Sequence, residues 1–292
     1  MADIKAIRKR IASVKNTQKI TKAMKMVSAA KLRRSQQAMM ELRPYAAKHR
    51  ELLESLARQL AEAGEANAHA LLTPREEVKA VAIFGVSSDR GMCGGFNSAV
   101  IRKLLELVRQ RTAAGQRVIL FTVGRRMGIA ARKLKVDGHE DLLDVISGAT
   151  RVRDITARLV KAFIDGEADE VIVISNRFKN ALTQLPTVYP LLPVAPPSGD
   201  APETAGQADL FYEPGRPALL SYIVPRFVEV QVRQAILESI AGEHAARMNA
   251  MSSATDNANG MIQSLTLEMN RARQAAITKE LMEIIGGAEA MK

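Results

Sequence analysis

Residues 223–286 read IVPRFVEVQVRQAILESIAGEHAARMNAMSSATDNANGMIQSLTLEMNRARQAAITKELMEIIG. Stepping through them by fours and threes from Ile223 reaches Phe227, Val230, Gln234, Leu237, Ala241, His244, Met248, Met251, Thr255, Ala258, Ile262, Leu265, Met269, Ala272 and Ala276. Thirteen of these sixteen positions are apolar in a chain that is 47% hydrophobic. About half as many would fall there by chance. A seven-residue apolar repeat held this long marks a coiled-coil seam, because 3.5 residues per turn keep one stripe turned toward a partner helix. No proline follows Pro225, and Gly286-Gly287 is expected to stop the pattern. A helix of about sixty residues would be on the order of 90 Å long, too long to bury its seam in one ordinary core. It needs a second helix.

The other end of the chain supplies one. Ile4, Ile7, Ile11 and Val14 start a stripe, a polar patch follows at Asn16-Thr17-Gln18, and the apolar residues resume at Ile20, Met24 and Val27. A clean heptad then runs through Met39, Leu42, Ala46, His49, Leu53, Leu56 and Leu60. The change at Gln18 reads as a break in phase, which would locally alter the supercoil. Pro44 is expected to kink the helix rather than end it, since the seam resumes in phase. Both seams use Met and Ala where a strong dimeric zipper uses Leu and Ile, which favours close, adaptable contacts.

The charge is uneven. Of a net +11, all is accounted for by residues 1–60, and between Ile4 and Met40 lie eleven Lys or Arg and no Asp or Glu. A solvated helix face is the plain explanation. The sharper one is a surface that meets an acidic partner. Cys93 is the single cysteine, so no intrachain disulfide and no cysteine-based metal site can form. His49, His69, His139 and His244 are scattered, and two of them fall on the seams as polar register marks. No run of eighteen apolar residues exists to span a membrane. The basic amphipathic start imitates a transit peptide but runs straight into the helical repeat, so the chain reads as mature from its first residues.

Between the two helices the composition changes. Residues 78–86 and 117–123 are strand-like, with a helix at 97–111 between them and another at 124–134. A short strand is conceivable in 135–144, a helix covers 151–165, and strands follow at 170–175 and 184–192. Pro186 and Pro190 place the last strand at an edge, and the short link before it predicts antiparallel pairing. Residues 193–206, rich in Pro, Gly, Ala and Ser, read as a loop. The fold class is α/β: a long antiparallel coiled coil of the N- and C-terminal helices with an inserted Rossmann-like α/β domain. The expected divisions are 1–62, 76–208 and 215–292.

One turn tempts an enzymatic reading. Ser87-Ser-Asp-Arg-Gly-Met-Cys-Gly-Gly-Phe-Asn97 follows the first strand and opens a helix, where a phosphate loop would sit. It matches neither glycine fingerprint, and Val123-Gly124 stands where a ribose-binding acid would end the second strand. Cys93 lacks a patterned histidine partner. We expect a tight glycine turn, with no catalytic, cofactor-binding or metal residues and no cofactor. Nucleic-acid binding by the basic helix is the rival from another class. Against it stand only eleven aromatic residues and basic side chains on all sides of the seam.

Three segments carry a family resemblance. Residues 7–31, IRKRIASVKNTQKITKAMKMVSAAK, resemble the first helix of the gamma subunit of F-type ATP synthases. Residues 88–97, SDRGMCGGFN, resemble the first turn of its central domain, and 254–258 with 270–288 resemble its last helix. The resemblance runs from end to end. It implies a non-catalytic central-stalk rotor shaft that couples ion-driven c-ring rotation to conformational changes at the catalytic beta subunits. The implied partners are the alpha3beta3 hexamer, the epsilon subunit and the c-ring. No nucleic acid is implied, and membrane association comes only through the Fo sector, on the cytoplasmic side of a bacterial plasma membrane. It further implies that Met24, Lys25, Arg273, Gln274 and Thr278 meet the beta subunits close to one another, and that Lys9, Arg10, Lys31, Arg33 and Arg34 face acidic beta loops. Phe211 and Tyr212 would lie in the foot near the c-ring. The two-cysteine regulatory insertion of the chloroplast branch is missing, so thiol regulation is not expected.

Overall fold

The computed structural model describes residues 2–62, 69–143, 151–194 and 215–289. The residues of the expected loop beyond 194, and Phe211 and Tyr212, lie outside them. The order of elements is α1 Ala2–Glu62, β1 Ala80–Val86, α2 Phe96–Ala113, β2 Arg117–Val123, α3 Arg125–Ala131, β3 Gly138–Leu143, α4 Val152–Ile164, β4 Glu170–Phe178, β5 Gln184–Leu192 and α5 Arg216–Glu289. The chain forms two compact units, one of residues 1–30 with 247–292, the other of residues 31–246. Both long helices contribute to each unit.

The larger unit is built on a five-stranded sheet in the order β3-β2-β1-β4-β5. The first four strands are mutually parallel and β5 joins β4 antiparallel at the edge, as the prolines predict. The short strand suspected in 135–144 is real and forms the opposite edge. Strand alternation splits the core in two. Val81 and Ile83 face α2 and α3, with Val100, Leu104 and Met127 fully buried among them. Ala82, Phe84 and Val86 face the other way. There α4 (Leu159, Phe163), α1 (Leu53, Leu56) and α5 (Val224, Val228, Val232) close over the sheet. Each large side chain buried this way contributes about 1.5–3 kcal/mol from area removed from water. All seven residues of β1 are buried, which is why it reads as a continuous apolar run and not an alternation.

Two acids fasten the strand starts. Asp169 accepts from the backbone N–H groups of Lys79 and Ala80, both at 2.9 Å. Asp137 accepts from the N–H of Val118 at 2.8 Å. At the β3 edge the Asp141 carboxylate gathers the Thr122 hydroxyl, the Arg132 guanidinium and the His139 ring. Burial pushes that carboxyl up, but the hydrogen bonds from Thr122 and Arg132 and the nearby positive charge outweigh it and hold it below the usual range.

In the smaller unit α1 and α5 pair antiparallel. Ile7, Ile11 and Val14 pack with Leu265, Met269 and Ala272. Gln18 bonds Asn259, Thr21 meets Thr255 at 2.8 Å, and Lys25 donates to Ser252 at 2.9 Å. Partner numbers fall as α1 numbers rise, which is the antiparallel sense.

The expected break in phase near Gln18 does not exist. Buried or half-buried positions on α1 keep one heptad phase through Val14, Gln18, Thr21, Ser28, Leu32, Ser35, Met39, Leu42, Ala46 and His49, with only the step at Lys25 exposed. Lys25 occupies its step in the same series through the bond to Ser252. Ile20 and Val27, read as the seam, are instead 60% and 56% exposed. The seam is polar here because its residues pair across the helices by hydrogen bonds, so apolar spacing alone pointed to the wrong face. Helix α1 continues past Pro44 to Glu62, so the proline does not end it, as expected. One other expectation needs adjusting. Helix α5 begins before Ile223, includes Pro225, and runs through Gly286-Gly287 to Glu289. Glycine inside a helix costs about 1 kcal/mol, a penalty rather than a stop. All sixteen seam positions predicted on α5 are buried or half-buried.

Candidate partner-binding surface

The cationic surface is built by the stretch of α1 between Ile4 and Met40, which carries no acid to spend its charge on. Lys5, Arg8, Lys9, Arg10, Lys15, Lys19, Lys22, Lys25, Lys31, Arg33 and Arg34 are all exposed. Among the described residues none of the eleven takes part in an ion pair, although pairs are plentiful on the α/β unit, such as Arg111–Glu170 at 3.1 Å and Arg158–Glu140 at 2.9 Å. Lys5 and Lys9, and Lys15 and Lys19, stand four residues apart, a like-charge spacing that destabilises a helix by roughly 0.2–0.5 kcal/mol per pair. Among these cations Ile20, Met26 and Val27 stand out, each more than half exposed. On α5, Met261 and Leu267 do the same, and near its end Ile277, Leu281, Met282, Ile284 and Ile285 are all exposed. The cross-helix register explains that end. Residues 265–272 already pack with Ile7 to Val14, so α1 runs out before α5 does.

The predicted contact residues fall into separate places. Lys9, Arg10, Lys31, Arg33 and Arg34 are exposed, as are Arg273, Gln274 and Thr278. Met24 is half-buried. Lys25 is exposed along its length yet its ammonium is engaged by Ser252. The expectation that Arg273, Gln274 and Thr278 sit beside Met24 is not met. Lys25 lies level with Ser252, and Arg273 is about twenty residues further along α5, roughly 30 Å away. Ile20, Met26 and Val27 were missed as surface residues. Their signal was present, an apolar trio out of step with the heptads on both sides.

The glycine turn sits at the carboxyl end of β1, where the strand order reverses and where α/β sheets hold ligands. Its Ser and Asn side chains bond within the turn, and Asp89 accepts from the N–H of Arg125 at 3.1 Å. The Ser88 hydroxyl donates to the Arg90 carbonyl at 2.7 Å, and Asn97 Oδ1 accepts the Ser88 N–H at 3.1 Å. Asn97 Nδ2 reaches the buried Cys93 Sγ at 3.2 Å. Met92 and Gly94 turn the chain with φ of 58° and 57°. Gly124, φ 93°, lets β2 end against the turn: a Cβ there would lie 2.2 Å from the Ser87 carbonyl oxygen. Among the described residues no group of three His, Cys, Asp or Glu is placed to hold a metal. No described helix is long and apolar enough to cross a membrane.

A parallel α/β sheet inserted between helices that return to pair with each other, with the free charge gathered on the helices, defines a stalk-type subunit that works through surface contact. The comparisons name the family. The ATP synthase family model matches residues 3–291, and the chain belongs to that family. It is 46% identical over 294 residues to the ATP synthase gamma chain of Geobacter sp. strain M21, and equally to that of Anaeromyxobacter sp. strain Fw109-5, with each chain fully covered. Among solved structures, the central stalk and c-ring assembly of the Tetrahymena thermophila mitochondrial ATP synthase contains a chain similar at 25% identity and TM-score 0.57, covering 80% of this chain and 99% of that one. A chain of the Euglena gracilis mitochondrial enzyme shares the fold at TM-score 0.64 and 19% identity, covering 99% and 95%. The function is that of the gamma subunit in the central stalk of an ATP synthase.

Proposed function

We propose that this chain is the non-catalytic shaft of the enzyme, turned by the c-ring and passing that rotation to the catalytic beta subunits inside an alpha3beta3 hexamer. The observation that carries the reading is the acid-free stretch between Ile4 and Met40, with eleven exposed cations that meet no acid among the described residues and apolar residues standing among them. Unpaired charge of one sign favours an acidic partner and makes association depend on salt. Apolar tips such as Ile20 and Val27 give contacts that form and break without the cost of separating ions. A smooth surface of this kind suits a part that must occupy successive positions with similar energy. Met24, Lys9, Arg10, Lys31, Arg33, Arg34, Arg273, Gln274 and Thr278 are assigned to this contact. Met24 and Arg273 are assigned to separate levels of it. Phe211 and Tyr212 are assigned to the foot, with the epsilon subunit and c-ring as its partners. The protein is peripheral, on the cytoplasmic side of a bacterial plasma membrane, and is held there by its complex. Residues 1–62 and 215–292 serve as shaft and 76–208 as body. The test is capture of a tagged chain from solubilised membranes. Recovery of alpha, beta, epsilon and c subunits in fixed ratio supports the reading, and recovery of the chain alone sinks it.

A further inference from the structure

We propose that the α/β unit carries an oxyanion-binding site, unrelated to the glycine turn, where the first turn of α4 meets α1 and α5, and that it takes a phosphate group through Arg153, Arg226 and Arg233. A cavity of about 630 Å³ is lined there by these three arginines with Glu41, Glu229 and Tyr45. The charges do not cancel locally. Glu229, only 14% exposed, is shared by Arg226 at 2.9 Å and Arg233 at 3.6 Å, so two guanidiniums divide one carboxylate. Glu41 accepts from Gln37 at 3.0 Å. Arg153 has no partner among the described residues. Each guanidinium offers five donors, so Arg226 and Arg233 keep N–H groups free after serving Glu229.

A second observation points the same way. Arg151 is the N-cap of α4 and Arg153 lies in its first turn, and no side chain caps the helix. Helix N-termini carry partial positive charge and favour anions, so two arginines there are placed against the dipole. Asp154, the one acid of that turn, is exposed and does not line the cavity. His49, whose ring packs 4.2 Å from Tyr45, is held below the usual histidine range by burial and by the Arg226 charge, and its Nδ1 is buried without a partner. The site is thus a pocket of unbalanced positive charge with bidentate donors, the arrangement that recognises phosphate and planar oxyanions. An adjoining cavity of about 620 Å³ shares Arg153, Arg226 and Glu229 and has an apolar wall of Ala157, Val160 and Tyr222. The phosphate could therefore be free or the head of an amphiphile.

The experiment is calorimetric titration of the full-length chain with inorganic phosphate and, separately, with water-soluble dihexanoyl phosphatidic acid, at constant ionic strength in chloride. Saturable binding is expected in at least one arm. Equal affinity in the two identifies free phosphate, and tighter binding of the lipid identifies a headgroup site using the apolar wall. Arg153→Gln and Arg233→Gln should each weaken binding about tenfold, the loss of one charge-assisted contact. Arg102→Gln, exposed on α2, should leave it unchanged. Ligand should also raise the His49 titration midpoint, read by NMR, because a bound anion offsets Arg226. Circular dichroism confirms that each variant is folded. No saturable binding in either arm, or binding indifferent to both arginine variants, overturns the proposal.

Discussion

At the scale of single residues, two positions make the strongest demands. Gly124 has no room for a side chain, because its φ of 93° disfavours any L residue and its Cβ would overlap the Ser87 carbonyl. Gly124→Ala therefore forces β2 and the glycine turn apart. A cost of about 2–4 kcal/mol is expected from strain plus lost packing, read as a lower midpoint in urea with unchanged slope. His49 makes a pH prediction. Its folded-state pKa is lowered by burial and by Arg226, so the folded chain resists taking the proton that the unfolded chain accepts. The stabilisation is complete above the ordinary histidine value near 6.5 and is lost as pH falls from there through the lowered value. His49→Gln should flatten that loss. If thermal stability between pH 7 and 5 falls equally in both proteins, His49 is not its source.

At the scale of elements, the α/β sheet was legible almost residue by residue. Buried strands such as Val78–Val86 declare themselves by continuous β-branched and apolar content, and Pro186 and Pro190 mark the edge strand by the donors they lack. The α5 seam was equally plain. The α1 seam was legible only in its apolar parts. Between Gln18 and Ser28 the helices are joined by polar pairs, and nothing in hydrophobic spacing distinguishes a polar seam from a polar surface. The same blindness hid the register, which the pairs Thr21–Thr255 and Lys25–Ser252 define, and so hid the distance between Met24 and Arg273. Polar seam residues specify register at some cost in stability. The pairing has a direct test. Thr21→Cys with Thr255→Cys should give an intramolecular disulfide on mild oxidation, since the hydroxyls they replace are 2.8 Å apart. Cys93, 2% exposed, should not compete. Crosslinks formed only between chains would refute the antiparallel pairing. Replacing both threonines with valine should leave stability equal or higher and make the register less unique, seen as broadened NMR signals along the seam.

At the scale of the whole molecule, charge and stability pull in opposite directions. The eleven cations between Ile4 and Met40 are exposed, meet no acid among the described residues and are in places spaced to repel each other, so apart from the Lys25–Ser252 hydrogen bond they contribute nothing favourable to the isolated chain. A surface that costs the chain stability and is nevertheless uniform in sign is explained by what it meets. Lys5, Lys9, Lys15 and Lys19 supply two repelling pairs on α1. Changing all four to Gln removes that repulsion while keeping a polar, unbranched side chain and helix propensity. The free chain should then be unchanged or more stable, by up to about 1 kcal/mol at low salt, and the difference should vanish in high salt. The complex should respond in the other direction. Assembly with alpha and beta subunits should slow, its salt dependence should flatten, and less of the variant should be recovered in the complex. Measuring unfolding of the free chain and assembly side by side separates the two roles. A drop in the stability of the free chain would show that these lysines are internal structural groups, and unaltered assembly at low salt would show that the partner does not meet this face.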